Sequence, residues 1–377
     1  MKKKILYAAS TRSHLLHFHL PYLRALYEDG WTVHAAFGGP AENIPWAQQS
    51  IALPLEKRMT SLANFRATAL VRRLIRQEEY DAIIVHTSLA AFFIRLALFG
   101  LKKRPVVINM VHGYLFDQRT NPLKRMLLLG AERLTAPVTD LLLTMNAWDH
   151  ETAVRYGLGR RVLHIPGVGV DFSRLDCDHQ SARVQLRRQL NLSDDAFVLL
   201  YPAEFSPRKS QDVLLRALTL LPANFMLLLP GSGTQLESCK ELAASLGVTQ
   251  QTIFPGYVTD MAPWYAAADC AVSASRSEGL PFNVMEAMYC ALPIVVSDVK
   301  GHVDLISHGQ NGLLYPYGDA NACAQQLLRL ARQPELAHAL ARQAQTDVAS
   351  YGLEQVFPQV MDAYRTVLPP ANRFAEV

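Results

Sequence analysis

Ser275-Arg-Ser-Glu278-Gly-Leu-Pro281-Phe-Asn-Val-Met-Glu286-Ala-Met-Tyr-Cys290 is the stretch whose reading decides the fold. It follows an apolar run, Cys270-Ala-Val-Ser-Ala274, that reads as a buried strand. A tight Gly279-Leu-Pro281 turn then leads into a segment of helical character. Pro281 suits a first helical position, because its missing N–H has no intrahelical partner to lose. Backbone N–H groups at a helix start attract anions, phosphate above all. Glu278 in the turn and Glu286 in the helix cannot bind phosphate themselves, but they can accept hydrogen bonds from hydroxyl groups. A phosphate flanked by hydroxyl-rich groups on both sides describes a nucleotide sugar. The plainer alternative is two solvated glutamates on a helix face.

The same alternation extends outward in both directions. Before the stretch, Ala196–Tyr201 reads as a strand, Gln211–Leu221 as a helix and Phe225–Leu229 as a strand ending in Pro230-Gly-Ser-Gly233. After it come Leu292–Ser297 and Gly312–Tyr315, then helical patterns over Ala320–Arg332, Pro334–Thr346 and Glu354–Val367. The earlier half repeats the theme. Strands fall at 4–9, Thr32–Phe37, Ala82–His86, Val106–Val111 and Leu141–Thr144, with Ser10–His14 as a loop and a basic helix over Ala63–Gln77. Apolar Ala90–Leu101 is too short to span a bilayer and fits a core helix better than an interfacial one. Strands alternating with helices imply parallel, doubly wound sheets. The Gly- and Pro-rich His164–Asp171 segment divides them into domains of residues 1–170 and 171–353, with a helix near 354–369 packing back on the first. Ligands are expected at the strand ends.

The totals agree with two soluble α/β domains. The chain has 377 residues, half apolar and 19% charged, above the length at which one core usually stops growing. Five cysteines without a CxxC pair exclude a disulfide framework and structural zinc, and fit a reducing compartment. The opening Met1-Lys-Lys-Lys4 with Ile5–Ala9 mimics a signal peptide but is too short and lacks a cleavage pattern, so a cytoplasmic location is expected. The net charge of +4 hides a polarity. Residues 1–190 carry 26 basic against 15 acidic side chains, and residues 191–377 carry 11 against 18. The first half therefore suits an anionic membrane surface or acidic substrate, with Arg66, Arg72, Arg73, Arg76, Lys102, Lys103 and Arg104 as the candidates. No nucleic-acid-binding motif is present.

In detail the chain resembles GT-B-fold retaining glycosyltransferases of family-4 type, and among them bacterial exopolysaccharide and capsule enzymes. The resemblance rests on Glu278-Gly-Leu-Pro-Phe-Asn-Val-Met-Glu286 as an E-x7-E motif, followed by Pro293–Ser297, Gly301–Ile306 and Asn311–Leu314. Ser206-Pro-Arg-Lys209-Ser-Gln211, Pro230–Gly233, His86-Thr87, His112-Gly113 and Ile165–Asp171 agree with it. It implies two Rossmann-like domains facing each other across a cleft. Glu286 would hold the ribose hydroxyls, Glu278 the transferred sugar, and the backbone of Gly279, Leu280, Pro281 and Phe282 the sugar and diphosphate. Lys209 would neutralise the leaving diphosphate, with His112 beside the sugar. Where the family commonly has an arginine, five residues before the lysine, this chain has Glu204; Arg208 could supply the charge instead. Ser10-Thr-Arg12 stands in place of the usual double-glycine loop. His14, His17 and His19 are close in sequence, but their spacing gives no convincing metal site and packing explains them.

The function so implied is transfer from a nucleoside-diphosphate sugar, UDP-linked, to a lipid-linked saccharide at the inner face of the cytoplasmic membrane. Retention by front-face attack needs no protein nucleophile. No Asp-x-Asp signature is present, so neither metal nor cofactor is expected. The rival readings are a sugar-nucleotide 2-epimerase and a non-catalytic sugar-nucleotide-binding partner subunit.

Overall fold

The structure is a computed structural model that describes residues 3–56 and 58–370. Met1 and Lys2, the start of the basic N-terminal run, lie outside the described residues. The chain divides into one unit of residues 1–169 with 354–377 and a second of residues 170–353.

The first unit carries β1 (Lys4–Thr11), β2 (Thr32–Gly38), β3 (Gln49–Leu53), β4 (Ala82–His86), β5 (Val106–Val111), β6 (Leu141–Thr144) and β7 (Arg161–His164). They form one parallel sheet in the order β3-β2-β1-β4-β5-β6-β7. Both faces of a parallel sheet are covered, which is why β4 and β6 are buried from end to end and apolar up to their last residues, His86 and Thr144. The order reverses between β1 and β4. Loops that leave those two strands diverge there and open the crevice in which such sheets bind ligands. The helix Ser88–Leu96 packs into the core, as its apolar sequence suggested, and buries Arg95 completely. At that depth Arg95 donates to Glu132 at 2.6 Å, to Thr139 and to the Ala91 carbonyl, so its buried donors are paired.

The second unit carries β8 (Phe197–Leu200), β9 (Phe225–Leu228), β10 (Thr252–Ile253), β11 (Cys270–Ser273), β12 (Ile294–Ser297) and β13 (Leu313–Tyr315). Its parallel order is β10-β9-β8-β11-β12-β13, with the reversal between β8 and β11. The Pro230–Gly233 loop shows why it needs its glycines. A Cβ on Gly231 would stand 2.0 Å from the Ala203 carbonyl oxygen, and one on Gly233 would stand 2.3 Å from that of Phe205. This close approach lets Ala203 and Phe205 donate to Pro230 and Ser232, extending the line of β8.

Several local readings change. Ser10–His14 is not all loop: Arg12–Phe18 is helical, with the Thr11 hydroxyl accepting from the His14 N–H as its cap. Pro281 has extended dihedrals and is the cap of helix Phe282–Tyr289, not its first residue. A helix at Pro122–Thr135 was absent from the sequence reading, although Asn121 supplies an N-cap and Pro122 a first-turn proline.

Candidate functional site

At the reversal of the second sheet, β8 delivers Lys209 and β11 delivers Glu278. Lys209 Nζ donates to Glu278 Oε1 and Arg208 Nη1 to Oε2, each at 2.6 Å. Arg208 also reaches the Ser277 carbonyl. Its direction, open in the sequence, is thus toward Glu278, whereas Glu204 is exposed. Ser275 donates to Glu278 Oε1 at 2.5 Å, and Tyr201 ties Ser275 Oγ to the Lys209 carbonyl. Neither Ser275 nor Tyr201 stood out as a site residue, since their roles depend on this long-range bracing. Gly301 permits the arrangement: its φ is +83°, and a Cβ there would lie 2.7 Å from Glu278 Cβ.

The electrostatics follow from burial among paired charges. Burial opposes ionisation of Glu278, but Lys209, Arg208 and His302 outweigh it and hold the carboxyl well below its ordinary range. Burial lowers Lys209 despite Glu278. His302, fully buried with Nδ1 against the Ser297 carbonyl at 2.9 Å, is lowered to about 4 by burial. Glu278 is therefore a fixed anion with about one lone-pair position left for a hydroxyl, after Lys209, Arg208 and Ser275 have taken theirs.

Glu286 lies on the helix Phe282–Tyr289, nearly buried. Tyr265 donates to its Oε2 at 2.7 Å, and Arg174 pairs with Oε1. The half-exposed Arg174 comes from the turn Phe172–Leu175, and no sequence signal linked it to Glu286. The Gly279–Phe282 backbone lies between the two acids, as the motif requires.

The first sheet's reversal holds different chemistry. His112 follows β5, His86 ends β4, and His14 and His19 follow β1. His14 Nε2 is 3.3 Å from both His112 Nε2 and His19 Nε2, and His86 Nδ1 is 3.3 Å from His112 Nε2. His17 points elsewhere, to the Ser13 carbonyl. Burial lowers all four rings, with further opposition from their neighbours; His14 falls to about 4. At neutral pH they are uncharged. Thr87, next to His86, has φ +66°, a strained position for a β-branched residue, and Ser10 braces its hydroxyl.

Two of the seven basic candidates for a membrane surface prove structural. Arg72 donates to the Ala97 and Phe99 carbonyls, and Arg104 chelates Asp140 through both terminal nitrogens. Arg66, Arg73, Arg76, Lys102 and Lys103 are exposed. The helix Pro122–Thr135 adds a surface that the sequence reading missed: Leu123, Met126, Leu127 and Leu134 are all more than half exposed, among exposed Lys124, Arg125 and Arg133. No helix among the described residues is long and apolar enough to cross a membrane.

Two doubly wound parallel sheets, the second with its acid pair at the helix following β11, are the GT-B fold. Residues 14–167 match the family described as glycosyl transferase 4-like domain, and residues 183–347 match glycosyl transferases group 1. EpsD of Bacillus subtilis (strain 168), named as a glycosyltransferase, is 30% identical over 372 residues, covering 97% of each chain. The solved structure of Anabaena HepE with UDP and glucose superposes with a TM-score of 0.78 at 20% identity, covering 97% of this chain and 100% of that one. WaaG, a glycosyltransferase involved in lipopolysaccharide biosynthesis, gives a TM-score of 0.73 at 17% identity, over 95% and 98% of the two chains. The chain belongs to the family-4 GT-B glycosyltransferases and is a glycosyltransferase enzyme.

Proposed function

We propose that this enzyme moves a hexosyl or N-acetylhexosaminyl group from a UDP-sugar to a lipid-linked saccharide, with retention, in cell-surface polysaccharide synthesis. The observation that carries the reading is the convergence of Lys209 and Arg208 on the ionised Glu278, eight residues before Glu286. Lys209 and Arg208 would turn to the diphosphate as its leaving charge grows, the point at which a positioned cation accelerates transfer most. This supports a diphosphate that needs no bridging metal, and it fills the place of the arginine that Glu204 displaces.

Glu278 would take a sugar hydroxyl with its remaining lone pair. Its depressed pKa removes it as a proton donor, which argues against the acid-plus-base carboxylate pair of hydrolases. The acceptor's proton would pass to the leaving phosphate oxygen on the attacked face. Glu286 would hold the ribose after Arg174 gives way, and Tyr265 would fix its orientation. His112 carries the role beside the sugar that the resemblance assigns it. HepE, crystallised with UDP and glucose, makes UDP the first nucleotide to try.

A thermal-shift panel of nucleotide sugars tests the donor site. The wild type should be stabilised by a UDP-sugar. Glu286→Ala, which loses hydrogen bonds to a charged acceptor of about 1.5–3 kcal/mol each, should bind it on the order of 10–100-fold more weakly. An equal response from both proteins removes the assignment. For the membrane, the apolar and basic side chains of Pro122–Thr135 support docking on anionic lipid. Sedimentation with anionic vesicles at low salt, and release by high salt, is the expected outcome; no sedimentation defeats it.

A further inference from the structure

We propose that His14, His19 and His112 form a binding site for one divalent transition-metal ion of the zinc class, with a fourth position open to an oxygen ligand. The inference goes beyond the transfer reaction proposed above; it shares His112 with that reading, and zinc binding measured without donor or acceptor separates the two.

Hydrogen bonding alone leaves the four rings unsatisfied. His19 Nε2, His14 Nε2, His112 Nε2 and His86 Nδ1 stand in a row with three contacts of 3.3 Å. A neutral imidazole nitrogen offers one hydrogen or one lone pair, never both. Each of the two middle atoms can therefore serve only one of its two neighbours. At most two of the three contacts can be hydrogen bonds, and one nitrogen pair is left in contact with nothing between its atoms.

A cation resolves this where a proton cannot. The ligand atoms of His14, His19 and His112 all lie within 4.8 Å of one another. Zinc binds imidazole nitrogen at about 2.0–2.1 Å in a tetrahedron, which sets neighbouring nitrogens about 3.3–3.4 Å apart. Two of the three edges already have that length. Three lone pairs directed at one ion would replace the frustrated row.

The supporting shell is also in place. Nε2 ligation requires the hydrogen of His19 on Nδ1, where the Tyr7 hydroxyl stands at 3.0 Å to accept it. Such a partner fixes ring orientation and tautomer in metal-binding histidines. His86 lies against His19, the ring centroids 3.8 Å apart and the planes tilted by 38°, and backs the site. Three imidazoles with no thiolate or carboxylate suit zinc, copper, nickel or iron over magnesium or calcium. His14 and His112 are partly exposed, so the ion has a route in, and three protein ligands leave a coordination position for water or a hydroxyl.

The experiment uses the full chain, freed of metal with a chelator and titrated with zinc chloride by calorimetry, with metal content checked by mass spectrometry. One zinc per chain is expected. Cobalt(II) in its place should give the intense visible bands of a four-coordinate site. His14→Gln and His112→Gln should each weaken zinc by at least about 100-fold, the upper end of what losing a supporting partner costs. His17→Gln should bind as the wild type does. Tyr7→Phe keeps the packing and all three ligands, so it separates ligation from misfolding, and it should weaken zinc roughly 10-fold. Absence of zinc from the wild type, unchanged binding by His14→Gln and His112→Gln, or loss of binding in His17→Gln overturns the proposal.

Discussion

The two sheets place polar clusters at the same topological address and fill it with opposite chemistry. In the second unit, the reversal between β8 and β11 holds Glu278 with Lys209 and Arg208, charges that neutralise one another. In the first, the reversal between β1 and β4 holds neutral imidazoles with no carboxylate in hydrogen-bond contact among the described residues. Topology thus decides where a ligand goes, and side-chain charge decides which. On the proposed function, a diphosphate entering the second site would compete with Glu278 for two cations already in position. The first site shows no charged side chain in hydrogen-bond contact with its rings among the described residues, and its lone pairs would suit a metal ion or a hydroxyl.

The largest effect expected is one that breaks the charge balance of the second site. Glu278→Gln leaves a nearly buried lysine without its counter-charge, and Lys209→Met leaves the carboxylate with only the half-exposed Arg208. Each should cost about 3–5 kcal/mol in urea unfolding, the usual result of breaking one side of a buried pair. The double variant should be more stable than the sum of the two losses predicts. Additive losses would show that the pair does not hold this region, and the contrast between the two sheets would fail on its charged side.

This contrast also explains what the sequence could reveal. The sheets and the acid pair were legible, because strand, turn and helix are local patterns and Glu278 and Glu286 stand on one continuous stretch. The histidine cluster was not: His14 and His19 come from one strand end, His86 and His112 from two others, and no spacing in the chain records that sheet order joins them. Arg174 was hidden for the same reason, 112 residues from its partner Glu286. Arg72 and Arg104 misled in the other direction. Sequence shows a charge but not the carbonyls or the Asp140 that consume it.

A smaller effect, and a sharper test of the same comparison, lies in pH. His302 sits at the charged site, where Glu278 favours its protonation while burial, Lys209 and Arg208 oppose it; Ser297 accepts from its Nδ1. The net result is a folded pKa of about 4, against about 6.5 unfolded. A depressed histidine contributes stability that is complete above the unfolded value and is lost as pH falls toward the folded one. Between pH 6.5 and about 4, this ring alone should therefore cost the fold about 3 kcal/mol, from 1.36 kcal/mol per pKa unit. Glu278, also depressed, acts in a separate window, losing its contribution only as pH drops below the ordinary carboxylate range. The rings of the first sheet titrate in the same direction as His302, so total stability cannot isolate it. The difference between wild type and His302→Asn can. In urea unfolding, the variant should be the less stable protein at pH 7.5, and the gap should shrink steadily toward pH 4.5. A gap constant across that range would mean that His302 does not titrate as a buried neutral ring, and the charged site would lose one of the groups that define it.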